Sequence, residues 1–391
     1  MTAPAEPRDA PRPRGPLEGL LVVDLTRVLA GPFATMMLAD LGARVVKVER
    51  PGTGDDSRAY GPFAHGESVY FARVNRGKES VALDLKDPED REVLLRLVDR
   101  ADALVENYRP GVMDRLGLGY AALAQRSPRL VYASVSGFGQ TGPWRERPAY
   151  DAVVQAMSGV MAITGAPDGP PVKPGLPVSD LAAGLYAYGA ITTALLGAAR
   201  TGRGTHVDVA LFDATLSLLE GPALAHLATG EEPGRTGNAH FSIAPFDTFA
   251  CADREVMVCA ANDGHFARLA ALVGHAEWVT DPRYATNRDR SAHRDALKGD
   301  LEAALAGDTA ARWLERLEAA GVPCGPVLAV SEAVGSAQAA ARRMVVTAGA
   351  QRLPGNPVKL SAYDDPLERP AAPGLDEHGD AVRAEVGLPR R

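Results

Sequence analysis

A carboxylate stands alone at the head of an uncharged stretch. Asp180 follows Pro174 and Pro177, and no charged residue appears after it until Arg200. The prolines hold the approach extended, so a helix is expected to start near Asp180, where the helix's positive end favours an ionised carboxylate. Such a group can act as a nucleophile or simply cap the helix, and the neighbouring residues leave both open. Tyr150-Asp151 opens a second predicted helix, and His240 lies in a loop. The three cysteines (Cys251, Cys259, Cys324) form no CxxC pair and the eight histidines no HExxH, so neither a metal site nor a disulfide framework is indicated. Gly137-Phe138-Gly139-Gln140-Thr141-Gly142 matches G-x-G-x-x-G after a strand, but Pro143 and Pro148 follow where a dinucleotide fingerprint must open a helix. Glu49 stands where a ribose-binding acid could lie, which keeps a dehydrogenase as a formal alternative.

These residues need a scaffold, and the first 150 residues alternate strand and helix. Apolar runs predict strands at Leu20–Leu25, Arg44–Val48, Ser80–Asp84, Ala103–Asn107 and Leu130–Val135. Gly31-Pro32 and Pro88 open helices between them. Strand–helix–strand units imply a parallel sheet. A long helix over Leu181–Arg200, a strand at His206–Leu211 and a helix over Phe212–Thr229 follow. Beyond the Gly/Pro-rich break at Gly230–Gly234 the pattern changes, with strands at Phe246–Phe249 and Val256–Cys259 and helices at His265–Val273 and Thr309–Ala320. An Ala-rich helix is expected over Ser331–Val345. The expected organisation is a tail at residues 1–16, a large domain at 17–228, a small one at 229–328 and a return to the large domain at 329–391.

A formal net charge of -7 argues against nucleic acid as a partner. The Pro/Ala/Arg-rich start has no apolar core and contains Glu6 and Asp9, so it reads as a disordered tail rather than a targeting signal. The span Leu181–Ala199 is uncharged over nearly a membrane-crossing length, yet it is mostly small residues, which suits close packing in a soluble core better. A cytoplasmic protein without a membrane partner is expected.

The stretches Thr26-Arg27-Val28-Leu29-Ala30-Gly31-Pro32, Arg44–Glu49, Asn75-Arg76-Gly77-Lys78, Glu106-Asn107-Tyr108-Arg109-Pro110-Gly111, Ser136–Pro143, Tyr150-Asp151 and Ser179-Asp180 to Tyr186 are similar, in order and spacing, to those of the class III CoA-transferases. That group includes formyl-CoA and carnitine CoA-transferases and α-methylacyl-CoA racemase, and the likeness runs from about residue 17 onward. The wording around Gly237–Phe246 and Asp151–Gly159 most resembles the succinate–hydroxymethylglutarate, or dicarboxylate, branch.

The resemblance implies a Rossmann-like large domain, a smaller α+β domain and an interlocked homodimer. It implies that Asp180 is the nucleophile, working through an aspartyl-CoA thioester, with coenzyme A as substrate and no tightly bound cofactor or metal. The helix N-terminus and local N–H groups would stabilise the oxyanion. It also implies that Val28 lies near the nucleotide and that Arg50 and Arg115 serve the phosphates. Asn75, Asn107 and Tyr108 would line the pantetheine path, and Tyr150, Asp151 and His240 the substrate pocket. Succinyl-CoA is the expected donor and a dicarboxylate the acceptor, with Arg73, Arg76 and His240 as candidate partners for its second carboxylate. The alternatives are an acyl-CoA racemase, weakened because Tyr150 stands where that branch has histidine, and a CoA-binding protein without catalysis.

Overall fold

The computed structural model describes residues 15–390, so most of the expected tail lies outside the described residues. The chain forms two units. One comprises the chain up to Val160, Lys173–Thr229 and the chain from Ser336 onward; the other comprises Met161–Val172 and Gly230–Gly335. The short excursion at Met161–Val172 is itself Gly/Pro-rich (Gly165, Pro167, Gly169, Pro170, Pro171), a break the sequence reading passed over.

The first unit is built on β1 (Leu21–Asp24), α1 (Ala30–Asp40), β2 (Arg44–Glu49), α2 (Val69–Asn75), β3 (Glu79–Ala82), α3 (Pro88–Val98), β4 (Ala103–Glu106), β5 (Val131–Ser136), α4 (Asp151–Met157), α5 (Val178–Thr201), β6 (His206–Ala210) and α6 (Leu211–Ser217). Its six strands are all parallel, in the order β3-β2-β1-β4-β5-β6. Both faces are covered, which is why the strands read as continuous apolar runs. Val22, Val45, Ala103 and Ala133 point to the face carrying α1 and α5, while Leu21, Val23, Val46 and Leu104 point to the face carrying α3. The Ala/Gly composition of α5 serves its approach to α1: a Cβ on Gly184 would meet the Ala30 carbonyl oxygen at 2.8 Å.

In the second unit, β7 (Phe246–Ala250), β8 (Glu255–Cys259) and β9 (Cys324–Pro326) form an antiparallel sheet with β8 central. Val256 and Val258 alternate inward onto α7 (Asp263–Leu272), α8 (Arg294–Leu305) and α9 (Ala310–Ala319) through Phe266, Leu301 and Trp313. In place of the expected Ala-rich helix over 331–345 there are two short helices, Val330–Val334 and Ala337–Ala341, broken by Gly335.

The returning chain adds a hairpin, β10 (Val345–Ala348) and β11 (Gln351–Pro354), and a terminal helix, α10 (Gly379–Glu385). It covers the sheet edge at β3. The Ala82 N–H donates to Asp376 at 2.8 Å and the His378 N–H to the Ser80 carbonyl at 2.9 Å, while Arg44 ties Glu79 to Glu385. An exposed parallel edge would otherwise invite pairing with another chain.

Candidate active site

Strands β1 and β4 are neighbours whose connections leave in opposite directions, so a crevice opens at their C-terminal ends, where sheets of this order bind ligands. Asn107 closes its floor: its Oδ1 accepts the Arg27 N–H at 2.9 Å and its amide donates to the Arg27 carbonyl at 2.8 Å. The next residue, Val28, has φ 69°, a left-handed conformation that a β-branched residue adopts only when its surroundings impose it. Asp55 imposes it, accepting the Val28 N–H at 3.1 Å and the Ser57 N–H at 2.9 Å while pairing with Lys47 at 2.9 Å.

Lys47 also donates to the Thr26 carbonyl at 2.7 Å, and Asp24 accepts both the Thr26 N–H at 2.8 Å and the Lys78 ammonium at 2.9 Å. All four charges are buried. Burial raises the Asp24 carboxyl, but Lys78 and Lys47 more than reverse this and hold it well below the usual carboxylate range. Burial brings the Lys78 ammonium down to about 8, against the pull of Asp24.

Two clefts flank this turn. One, of about 180 Å³, runs from Arg27–Ala30 past Asn107 and Tyr108 to Tyr150 and ends at Asp180. The other, of about 740 Å³, shares Arg27 and Tyr108 and carries Lys86, Arg50 and Arg115. Val28, Asn107, Tyr108, Arg50 and Arg115 therefore line two adjoining clefts, with Asp180 in one and Arg50, Lys86 and Arg115 in the other. Asn75 does not join them. It is buried, donates to the Phe71 carbonyl at 3.0 Å and accepts from Lys78 at 2.9 Å, so its role is to orient that lysine.

Helix α5 begins at Val178, so Asp180 sits in its first turn and not at the cap position. Asp151 does the capping: its Oδ1 accepts the Ser179 N–H at 2.9 Å and the Asp180 N–H at 3.3 Å, and its Oδ2 accepts from Gln155 at 2.5 Å. Asp151 is thus engaged at the helix start, and it is not among the residues that line the cleft. The Val178 and Leu181 N–H groups bond to the Leu176 and Pro177 carbonyls, so the first-turn donors expected to meet an oxyanion are engaged. The Asp180 carboxylate itself has no hydrogen bond or ion pair among the described residues. Burial, reinforced by Asp151 and opposed by Arg73, pushes its carboxyl up to about 7.

Tyr150 is 73% exposed at the cleft mouth. His240 belongs to the second unit, where its Nδ1 accepts the Ser242 N–H at 3.1 Å and its ring stacks on Phe241. Arg76 is buried in a two-pronged pair with Asp40, at 3.1 and 2.7 Å, which removes it as a candidate carboxylate partner. The sequence reading missed Glu106, the last residue of β4. It is buried, raised by that burial to about 7, and accepts the Tyr108 N–H at 2.8 Å. A charged residue closing an apolar strand was the available signal. Helix α2 was also missed, although Ser68, which accepts the Phe71 N–H at 3.1 Å, is a typical cap.

The sequence profile described as CoA-transferase family III matches residues 17–379. The chain is 53% identical to an acetyl-CoA:oxalate CoA-transferase of Acetobacter aceti, over 97% of each protein. It is 42% identical to a succinyl-CoA:glutarate CoA-transferase of Mus musculus, over 95% of this chain and 86% of that one. Among solved structures it is similar to a CAIB/BAIF family protein from Brucella suis, with a TM-score of 0.85, 42% identity and coverage of 95% of this chain and 100% of the other.

Proposed function

The chain belongs to CoA-transferase family III, and on that basis we propose how its residues divide the work of moving CoA from an acyl-CoA donor to a dicarboxylate. Asp180 is the nucleophile. Its carboxylate oxygen attacks the thioester carbonyl, the C–S bond breaks, and CoA leaves as a thiolate, giving an acyl–aspartyl anhydride. The thiolate then attacks the aspartyl carbonyl, expelling the donor acid and forming the aspartyl-CoA thioester. The acceptor carboxylate attacks that thioester and releases the thiolate once more. The thiolate finally takes the acyl group from the new anhydride and frees Asp180. No net proton or electron is consumed.

One observation carries this reading: a half-buried carboxylate without a partner among the described residues lines a cleft, and the neighbouring cleft, which shares Arg27 and Tyr108, carries Arg50, Lys86 and Arg115. A merely structural aspartate at this depth would be expected to be paired. Asn107 and Tyr108 guide the pantetheine, Val28 lies near the nucleotide, and Arg50 and Arg115 meet the phosphates. Asp151, spent on the α5 cap, leaves no second proton-transfer group beside Tyr150, which disfavours racemase chemistry. Succinyl-CoA is the donor we favour, with acetyl-CoA as its competitor. The test is intact-mass analysis after incubation with either donor. An adduct of CoA on the peptide holding Asp180, cleaved by hydroxylamine and absent in Asp180→Asn, supports the reading; a wild-type protein that forms none overturns it.

The exposed apolar residues Leu185, Tyr186 and Leu196 on α5, with Leu224 and Leu227 on the following helix (Glu220–Thr229), suit burial against a second copy, as in the interlocked dimer the family resemblance implies. Light scattering on the wild type and on a Leu227→Glu variant tests this: a dimer that weakens on substitution agrees, and a wild-type monomer refutes it.

A further inference from the structure

Helix α2 is fixed at its start by Ser68, whose hydroxyl donates to the Ser57 carbonyl at 2.8 Å, and it buries Phe71, Ala72, Val74 and Asn75. Tyr70 and Arg73, three residues apart, share its remaining face. The Arg73 guanidinium carbon lies 4.1 Å from the Tyr70 ring centre, and the Tyr70 ring meets that of Tyr60 edge-on at 5.6 Å. Among the described residues Arg73 has no ion pair, and its Nε is shut off from solvent without a hydrogen-bond partner.

Its neighbours differ. Arg58 pairs with Glu49, Arg76 with Asp40, Lys78 with Asp24 and Lys47 with Asp55. A planar fork braced by an aromatic ring and left without a carboxylate is shaped to receive one from outside. Its charge reaches Asp180, since it opposes the burial and the Asp151 repulsion that raise that carboxyl.

We propose that Arg73, braced by Tyr70, seats the far carboxylate of the dicarboxylate whose near carboxylate reacts at Asp180. This rests on the CoA-transferase reading above and assigns the residue that selects diacids within it. A second carboxylate entering the site without a partner would be desolvated at a cost of several kcal/mol. With Arg73 waiting, that cost is offset by a paired, charge-assisted contact. A monocarboxylate draws nothing from it.

The experiment uses acetyl-CoA as donor, so that only the acceptor carries a second charge. It compares whichever of oxalate, succinate and glutarate is taken fastest with the monocarboxylate of equal chain length, isotopically labelled where that acid is acetate so that exchange with the donor's acetyl group is read. Wild type is expected to favour the diacid by more than about tenfold in kcat/KM. Arg73→Ala should lower the diacid value about 100-fold and the monoacid value less than about threefold, with the CoA adduct on Asp180 still formed; Arg73→Lys should recover part of the diacid rate. If Arg73→Ala melts early, Arg73→Gln, closer in volume, supplies the same ratio. Equal losses on both acids, or an unchanged diacid rate, overturn the assignment while the adduct keeps the transferase reading intact. A wild type that shows neither adduct nor transfer with acetyl-CoA or with succinyl-CoA sinks both.

Discussion

Two clusters of opposite charge sit in the first unit, and their difference separates structure from chemistry. Under the β1–α1 turn, Asp24, Lys78, Lys47 and Asp55 are fully buried and fully paired, with Asp24–Lys78 and Asp55–Lys47 both at 2.9 Å. Asp180 at the start of α5 and Arg73 on α2 feel one another electrostatically, yet neither has an ion pair among the described residues. The closed cluster holds a strained turn in place. The open one keeps a nucleophile and a cation available, with the cost of an unpaired, half-buried carboxylate borne by the rest of the fold.

Substitutions should therefore act in opposite senses in the two places. Asp180→Asn is expected to abolish turnover by at least about 10⁴-fold, roughly 5 kcal/mol in the barrier. It should also raise the melting temperature by about 1–3 °C, because an amide escapes the desolvation that a carboxylate suffers there. Steady-state rates and calorimetry on the same preparation check both, and a lowered melting temperature would mean that Asp180 is structural. In the closed cluster, Lys78→Met strands Asp24 without its partner and should cost about 3–5 kcal/mol by urea unfolding.

A pH series sharpens the contrast. Catalysis needs Asp180 ionised, so kcat/KM for acyl-CoA should fall about tenfold per unit as pH drops below about 7. Because the folded protein holds this proton more tightly than the unfolded chain, stability should decline as pH rises from the ordinary carboxylate range to about 7, and Asp180→Asn should lack that decline. Asp24 has the reverse sign. Its folded carboxyl is held low, so its contribution is present above the unfolded value and lost only in strong acid. The smallest effect belongs to Asp151→Asn: the rate limb should move to lower pH as one repulsion is removed, while the weaker cap costs about 1 kcal/mol. An unmoved limb would show that Asp151 does not raise Asp180.

Much of the scaffold was legible because both faces of the sheet are buried, so the inner parallel strands announced themselves as apolar runs, while the edge strand His206–Ala210 showed alternation. Asp180 was legible from its isolation before an uncharged helix, and the Gly137–Gly142 motif was rightly set aside because no helix follows it. Other features depend on partners distant in sequence. Nothing local says that Asp151 caps a helix 28 positions later, that Asn75 holds Lys78, or that Asp55 bends Val28. Helix α2 is short, and its Tyr70 and Arg73 face looks like an ordinary polar surface until the missing counter-charge is seen. For the same reason Arg73 and Arg76 could not be told apart beforehand; Asp40, distant in sequence, distinguishes them.

The cover over β3 has a consequence for how the protein is made. Arg44 waits for Glu385, separated from it by 341 positions, and the Ser80 carbonyl waits for the His378 N–H. A ribosome adding about 5–20 residues per second needs roughly 15–60 s to travel from β3 to that segment. Throughout this interval the nascent sheet carries a bare strand edge, so synthesis of this chain passes through a window in which a chaperone or a neighbouring polysome can reach it. A message cut short before codon 373 would leave that window open for good.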